Sequence, residues 1–451
     1  MAESTPPLWA GSEPDSAETG IQFPRIGILN DYVRIPFANG SSFASQFLYR
    51  EFSRLGSRVT VIGPSDPEGT ADDLPPDHVL MPSLPLRNTP GVRIPMPAPS
   101  GLKRLVERDL SITVAQSCTG LISTGTWLRQ AHGVPLVCVN TVHMPSVYDV
   151  LLPESWHGNR FVDYVFQQKL VPMVESSTVK MYNGGDGLVV LSRGLKDYWV
   201  QRGVKVPIHV IRRSVDPEVF DQPVGADPYP RWAAPGERLL VVCRHTKEKN
   251  VIRLLDIFAE HIAPKRPSAS LTLVGDGPDH ELFKAHAAKL GVSERCVWLG
   301  EVGLTDMPTW YRHADVFVYT SLSETYGQVV SEALWCGLPV VAFDDDKGVA
   351  DQVRHGVDGF LLRPENKEAN LDFATRVIRL LDDPALRAGF AAQAQAATRE
   401  SSDPARCVAA YEQVLRSARA HRDATWSEPA GFWTRVSPLL TVAVLHLLLA
   451  L

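Results

Sequence analysis

Two carboxylates stand eight positions apart in the stretch SETYGQVVSE, Ser323 to Glu332. A carboxylate side chain only accepts hydrogen bonds, which suits the hydroxyls of a sugar. Between Glu324 and Glu332 the sequence predicts a helix start near Tyr326, with Ser323 and Thr325 as candidate caps. The free amides around Tyr326, Gly327 and Gln328 would then form an anion site, and Gly327 would allow close backbone approach. One ligand could place a phosphate at the amides and hydroxyls at both carboxylates. The ordinary alternative is a solvated helix face, because a bare Glu-x7-Glu arises often by chance.

A second group is Arg244 followed by HTKEKN, with Lys249 five residues on. Two cations on a loop after a strand would neutralise a diphosphate and stabilise charge on a departing phosphate. Surface charge, with Glu248 pairing locally, is the competing account. His143, in PLVCVNTVHMP, falls at the end of a mid-chain strand just before Pro145. Gly40, in Asn39-Gly40-Ser41, sits where a helix N-terminus could approach a phosphate.

The elements that must position these residues read as alternating β and α segments. RIGILNDYV, an apolar run ending in polar residues, and RVTVIGP are strand-like runs flanking a glycine loop (Asn39 to Ser42) and a helix, FASQFLYREFSRLG. This is the opening of a doubly wound nucleotide-binding fold. Apolar runs follow at LISTG, PLVCVNTVH and GLVVLS. After the Pro/Gly-rich segment Asp221 to Glu237 the pattern restarts. RLLVVCRH, SLTLVGDGP, CVWLGEV, DVFVYTS, PVVAFD and GFLLRP read as strands separated by helices. The expected fold class is α/β, with two doubly wound Rossmann-like domains facing a cleft. Boundaries are a tail over 1–21, an N-terminal domain over 22–220, a linker over 221–237 and a C-terminal domain over 238–400. A helix over 401–425 is a candidate to cross back, and an apolar tail fills 426–451.

The 451 residues suit two domains of about 200 residues each. A net charge of −6 gives no sign of a nucleic-acid surface. The six cysteines, at 118, 138, 243, 296, 336 and 407, include no C-x-x-C pair, which points to a reducing compartment and away from a structural metal. Nothing at the N-terminus has the basic start and apolar run of a signal peptide. The last 16 residues, VSPLLTVAVLHLLLAL, have only His446 titratable. As a helix they would span about 24 Å, short of a bilayer core of roughly 30 Å but enough to dip into one leaflet, with Trp433 and Arg435 at the interface. A terminal helix packed on the chain's own surface is the alternative.

The segments VVCRHTKEKN, LTLVGDGP, CVWLGEV, ADVFVYTS, SETYGQVVSEALWCGLPVVAF and HGVDGFLL, in that order, resemble the retaining glycosyltransferases of family 4, which have the GT-B fold. The N-terminal half is similar more loosely, through the Gly40 loop, the TVH segment and VVLSRGLKDYW. The resemblance implies that Glu332 binds the donor ribose and Glu324 the hydroxyls of the transferred sugar. Arg244 and Lys249 would hold the diphosphate with amides near Gly327 and Gln328, and His143 would contact the sugar. Gly40 would approach the phosphate, and the backbone at Glu301 and Val302 would meet the base. The implied reaction moves a hexose from a UDP- or GDP-sugar to an acceptor hydroxyl with retention, with no cofactor and no obligatory metal. The family's lack of a clear nucleophile implies a front-face path in which the departing phosphate helps deprotonate the acceptor.

Two departures stand out. The family's usual glycine turn before Val-Asp is replaced by Arg212-Arg213-Ser214, and the usual Gly-Gly after Asp344-Asp345-Asp346 is Lys347-Gly348. TVHMPSVY is similar to glycolipid-forming members, and GLKRLVERDL puts Lys103, Arg104 and Arg108 among leucines, a candidate contact for anionic lipid. These favour a cytoplasmic enzyme, peripheral on the inner face of a membrane, with a lipid or lipid-linked glycan as acceptor and no nucleic-acid partner. A soluble enzyme with a small-molecule acceptor is the alternative. A sugar-nucleotide epimerase or a non-catalytic binder of the same fold are more distant ones.

Overall fold

The structure is a computed structural model that describes residues 23–31, 40–67, 69, 74–85, 93–117, 120–142, 164–427, 431 and 439. Two compact units emerge. The first comprises residues 1–191, 196–211 and 408–451, and the second 192–195 and 212–407.

Among the described residues the first unit contains β1 (Arg25–Asn30), β2 (Arg58–Pro64), β3 (His78–Met81), β4 (Ser83–Pro85), β5 (Arg93–Pro95), β6 (Ile112–Gln116), β7 (Leu136–Val139), β8 (Gly187–Val190) and β9 (Ile208–Val210). Seven of them form a parallel sheet in the order β3-β2-β1-β6-β7-β8-β9, while β4 and β5 pair separately as an antiparallel hairpin. The run LISTG, which has the apolar character of a strand, lies instead in the helix Gly120–His132, whose first seven residues are all buried. A short apolar run cannot by itself separate a buried helix from a buried strand. Ile112–Gln116 supplies the strand at that point. Gly40, expected in a loop, opens the helix Gly40–Arg54.

The helix Pro404–Thr425 begins in the second unit and from Val408 belongs to the first. The fully buried Asp186 holds its far end: it accepts from Arg129 at 2.8 and 2.7 Å and lies 3.1 Å from Nδ1 of His421.

The second unit contains β10 (Arg238–Val242), β11 (Ser270–Val274), β12 (Cys296–Gly300), β13 (Val316–Tyr319), β14 (Val340–Phe343) and β15 (Gly359–Leu362). All are parallel, in the order β12-β11-β10-β13-β14-β15. Leu239, Leu240, Leu271, Leu273, Val316, Phe317, Val340 and Phe343 are entirely buried. Such strands are apolar on both sides because crossover helices cover both faces of a parallel sheet. The chain builds outward from β10 through β11 to β12, then returns to place β13 on the other side of β10. The β10/β13 boundary is therefore the topological switch point, and ligands of open α/β sheets bind outside the strand C-termini there.

Candidate active site

The two loops that leave this switch point carry most of the residues singled out above. After β10 the chain passes through Cys243 and the exposed Arg244 into a 3-10 turn, Lys247–Lys249. Asn250 then adopts a left-handed conformation, φ 58°, which asparagine tolerates better than most residues. Its side-chain amide donates to the Thr320 carbonyl at 3.2 Å, and the Thr320 hydroxyl donates to the Asn250 carbonyl at 3.0 Å. These two bonds stitch the loop after β10 to the loop after β13.

Across the stitch, the Lys249 Nζ donates to Glu324 Oε1 at 2.6 Å. The same oxygen accepts from the Tyr319 hydroxyl at 2.8 Å and from Ser321 Oγ at 2.7 Å. Burial alone would raise the Glu324 carboxyl pKa, but the Lys249 ammonium and the two hydroxyls hold it below its ordinary value. Burial works against the Lys249 ammonium as well, and Glu324 beside it more than offsets this, so its pKa is raised. Both groups are thus charged. Arg244 differs from them, being exposed and without an ion-pair partner among the described residues.

The helix expected near Tyr326 begins at Gln328 and runs Gln328–Trp335. Ser323 and Thr325 do not cap it; Gly327 does, at φ 81°, a conformation that costs glycine little. Hence the first helical amides, from Gln328 on, lie two residues later than the sequence suggested. The helix stops in a Schellman motif: Gly337, at φ 76°, donates to the Leu334 carbonyl at 3.0 Å and Leu338 to that of Ala333 at 2.9 Å. Val330, Ala333 and Leu334 face the core.

Glu332, also buried, accepts from the Tyr311 hydroxyl at 2.9 Å. Burial pushes its carboxyl up to about 7, against the lowering effect of Tyr311 and Gln328. The side-chain amide of Gln328 donates to the Ser214 carbonyl at 3.2 Å, and the Tyr326 hydroxyl to that of Arg213 at 3.1 Å. The arginine-rich turn is therefore bonded to the helix start through its backbone, while the Arg212 guanidinium pairs with Asp351 at 3.1 Å. At the second departure, Gly348 is hemmed in: an added Cβ would stand 2.5 Å from the Tyr326 carbonyl oxygen. No side chain fits there, so the glycine that remains of the usual pair is the sterically required one.

Behind Arg244, His245 is fully buried and its Nδ1 lies 2.7 Å from Nδ1 of His280. Together with Asp276 these offer ligand atoms within 4.8 Å of one another. Two nitrogens on one tetrahedral zinc, at about 2.0–2.1 Å each, would stand about 3.3 Å apart. The observed 2.7 Å is a direct N–H···N hydrogen bond between imidazoles. Burial, then His280, lowers the His245 pKa to about 4, so the ring is neutral near pH 7. The backbone of His245 is fixed by bonds with Asp276 and Asp279, at 2.9 and 3.0 Å. The pair thus holds the Arg244 loop onto the turn after β11.

The structure brings Arg244, Lys249, Glu324, Gly327, Gln328 and Glu332 onto the two switch-point loops and the helix that follows. Glu301, exposed, and Val302, half-buried, follow β12 at the same end of the sheet, two strands away from β10. Gly40 belongs to the first unit. His143 and the apolar tail over 436–451 lie outside the described residues, apart from residue 439. No helix among the described residues is long and apolar enough to cross a membrane. In the helix Pro99–Glu107, Lys103 is exposed beside Glu107, Arg104 donates to the Leu80 carbonyl at 2.8 Å, and the following Arg108 pairs with Asp77 at 3.0 Å. Sequence reasoning missed Tyr311, Tyr319 and Ser321. The available signal for the last two was a tyrosine and a serine at the end of the strand-like run DVFVYTS, just ahead of Glu324.

Two family models cover most of the chain: glycosyl transferases group 1 over residues 231–397, and Glycosyltransferase Family 4 over residues 39–219. An alpha-monoglucosyldiacylglycerol synthase of Streptococcus pneumoniae is 24% identical over 337 residues, 70% of each chain. An exopolysaccharide phosphotransferase of Streptomyces coelicolor is 28% identical over 242 residues, 53% of this chain; the match spans only 24% of that longer protein. Among solved structures, Anabaena HepE in complex with UDP-glucose superposes with a TM-score of 0.65 at 20% identity, covering 87% of this chain and 99% of that one. With family models over both halves and two parallel-sheet α/β units of the expected topology, the chain belongs to the family 4 glycosyltransferases and has the GT-B fold.

Proposed function

We propose that this glycosyltransferase is a retaining enzyme that moves a hexose from a UDP- or GDP-sugar to an acceptor hydroxyl. The observation that carries this reading is the switch-point pair of loops, where an exposed Arg244 with no ion-pair partner among the described residues stands on the same loop as the Lys249–Glu324 contact. Arg244 and the first amides of the helix at Gln328 meet the diphosphate, with Gly327 keeping the approach clear. Lys249 supports them from beside Glu324, which takes a sugar hydroxyl. Glu332 takes the ribose, and the backbone at Glu301 and Val302 takes the base. For Gly40 and His143 the proposed roles, toward phosphate and sugar, rest on the family resemblance.

In the step itself the bond between the anomeric carbon and the diphosphate oxygen breaks. The acceptor oxygen bonds to that carbon on the same face, and its proton passes to the departing phosphate. Positive charge and amide dipoles aimed at that phosphate stabilise the transition state, each donor being worth a few kcal/mol.

The acceptor in this reading is a lipid or lipid-linked glycan at the inner face of a membrane. The streptococcal relative, named for a glucosyldiacylglycerol product, supports it, as does the basic helix Pro99–Glu107. A soluble small-molecule acceptor is the second reading, favoured by the intramolecular partners of Arg104 and Arg108. The test is transfer by the full chain to anionic vesicles containing diacylglycerol and, separately, to soluble glycosides, with the product anomer read by NMR. We expect a vesicle-dependent product that keeps the donor's anomeric configuration. An inverted product would contradict retention, and donor turnover independent of any acceptor would point to an epimerase.

A further inference from the structure

We infer that the two oxygens of Glu324 have separate roles, with Oε1 anchored by the protein and Oε2 presented to the donor sugar. Tyr319 and Ser321 are then positioning residues for sugar recognition, and Lys249 has a positioning role in addition to its charge. This rests on the donor-site reading above and deepens it.

Oε1 receives three donors from three different side chains, at 2.6 Å from Lys249, 2.8 Å from Tyr319 and 2.7 Å from Ser321. A carboxylate has about four lone-pair sites over its two oxygens, so three donors on one oxygen leave it no capacity for a ligand. No donor reaches Oε2 among the described residues. The side chain keeps 12% of its surface open and Oε2 is not among the fully enclosed polar atoms, so this oxygen is the atom a ligand can meet. The backbone is fixed as well, since the Glu324 carbonyl accepts from the Gly348 amide at 3.3 Å.

The anchors are themselves rigid. Tyr319 is the last residue of β13, buried, with its ring against Phe317 at 5.7 Å between centroids. Its hydroxyl therefore reaches Glu324 from a sheet rather than from a loop. A half-turn of the carboxylate only exchanges the two oxygens and restores the same arrangement. Any smaller tilt strains three hydrogen bonds together. The direction from which a sugar hydroxyl can donate to Oε2 is set by these anchors, and a carboxylate held this way discriminates hydroxyl position rather than only attracting hydroxyls. Lys249 spends one of its three N–H bonds here, leaving two for the donor.

The test separates sugar recognition from nucleotide recognition. Tyr319→Phe keeps the ring and its packing and removes one anchor; Ser321→Ala removes another by an independent route. Wild type and both variants are titrated calorimetrically with UDP and UDP-glucose, and in parallel with GDP and GDP-mannose. Loss of one hydrogen bond to a charged group should weaken binding of the nucleotide sugar roughly tenfold. Binding of the nucleoside diphosphate lacking the sugar should change by less than about twofold. Equal losses for the two ligands, or no loss for either in both variants, would overturn the inference. If Tyr319→Phe fails to fold, Ser321→Ala decides on the same criteria. A wild-type chain that binds neither nucleoside diphosphate would instead overturn the donor-site reading itself.

Discussion

Replacing Lys249 by alanine is expected to abolish transfer and to destabilise the second unit at the same time. As a free loop cation Lys249 would be dispensable to the fold, since such substitutions usually change stability by less than about 0.5 kcal/mol. Its contact with Glu324 changes that expectation. Both side chains are largely buried, at 18% and 12% exposure, and the contact is 2.6 Å. Removing one member of a buried ion pair leaves the other charge uncompensated, at a cost of about 3–5 kcal/mol. Activity should fall to less than about a tenth of wild type, because both the charge near the diphosphate and the orientation of Glu324 are lost. Neutralising both members, as Lys249→Ala with Glu324→Gln, should recover most of the stability and none of the transfer. Thermal melts and initial rates on the three variants check this. A single variant with more than about a tenth of wild-type activity, or a double variant no more stable than the single, would contradict the assignment.

Glu332→Gln is expected to trade donor affinity for stability, with opposite dependences on pH. The folded pKa of Glu332, about 7, lies above its ordinary value of 4.5 because of burial. Between those values the folded chain holds a proton that the unfolded chain has released. Its contribution to stability is therefore fully present below about pH 4.5 and is lost as the pH rises through 7. A carboxylate accepting from ribose hydroxyls needs the opposite state, so donor kcat/KM should climb through pH 7 and level off above it. Glutamine cannot ionise. The variant should lose this rise in kcat/KM and, at pH 8, should gain stability on the order of a few kcal/mol. A pH profile with the same limb in wild type and Glu332→Gln would show that another group titrates there.

The second unit was legible almost strand by strand, because a buried parallel strand is a short apolar run and each of its six is bounded by a clear turn or helix. The first unit was less so. LISTG has a strand's composition but is a helix buried along its first two turns, and composition does not carry that distinction. Glu324 and Glu332 were identifiable as a pair, yet the cap between them was misplaced. Ser323 and Thr325 have capping chemistry, but a glycine at positive φ sets the helix start.

The partners that decide each carboxylate's state were out of reach of local reading. Lys249 meets Glu324 across 75 positions, His245 meets His280 across 35, and Tyr311 meets Glu332 across 21. Those contacts follow from strand order: β10 and β13 are neighbours in the sheet although two strands separate them in the chain. Once the order is known, the convergence of the two loops follows, and with it the division between two charges engaged with each other and one without an ion-pair partner among the described residues.

That division is tested most directly by calorimetric titration of wild type and Arg244→Ala with a nucleoside diphosphate. Arg244 is exposed and unpaired among the described residues, so its removal should leave the melting temperature unchanged. If its guanidinium holds the diphosphate, the lost charge-assisted bonds should weaken binding about 10- to 100-fold. Unchanged affinity in Arg244→Ala, with wild type binding normally, would contradict the placement of the donor at the β10/β13 switch point.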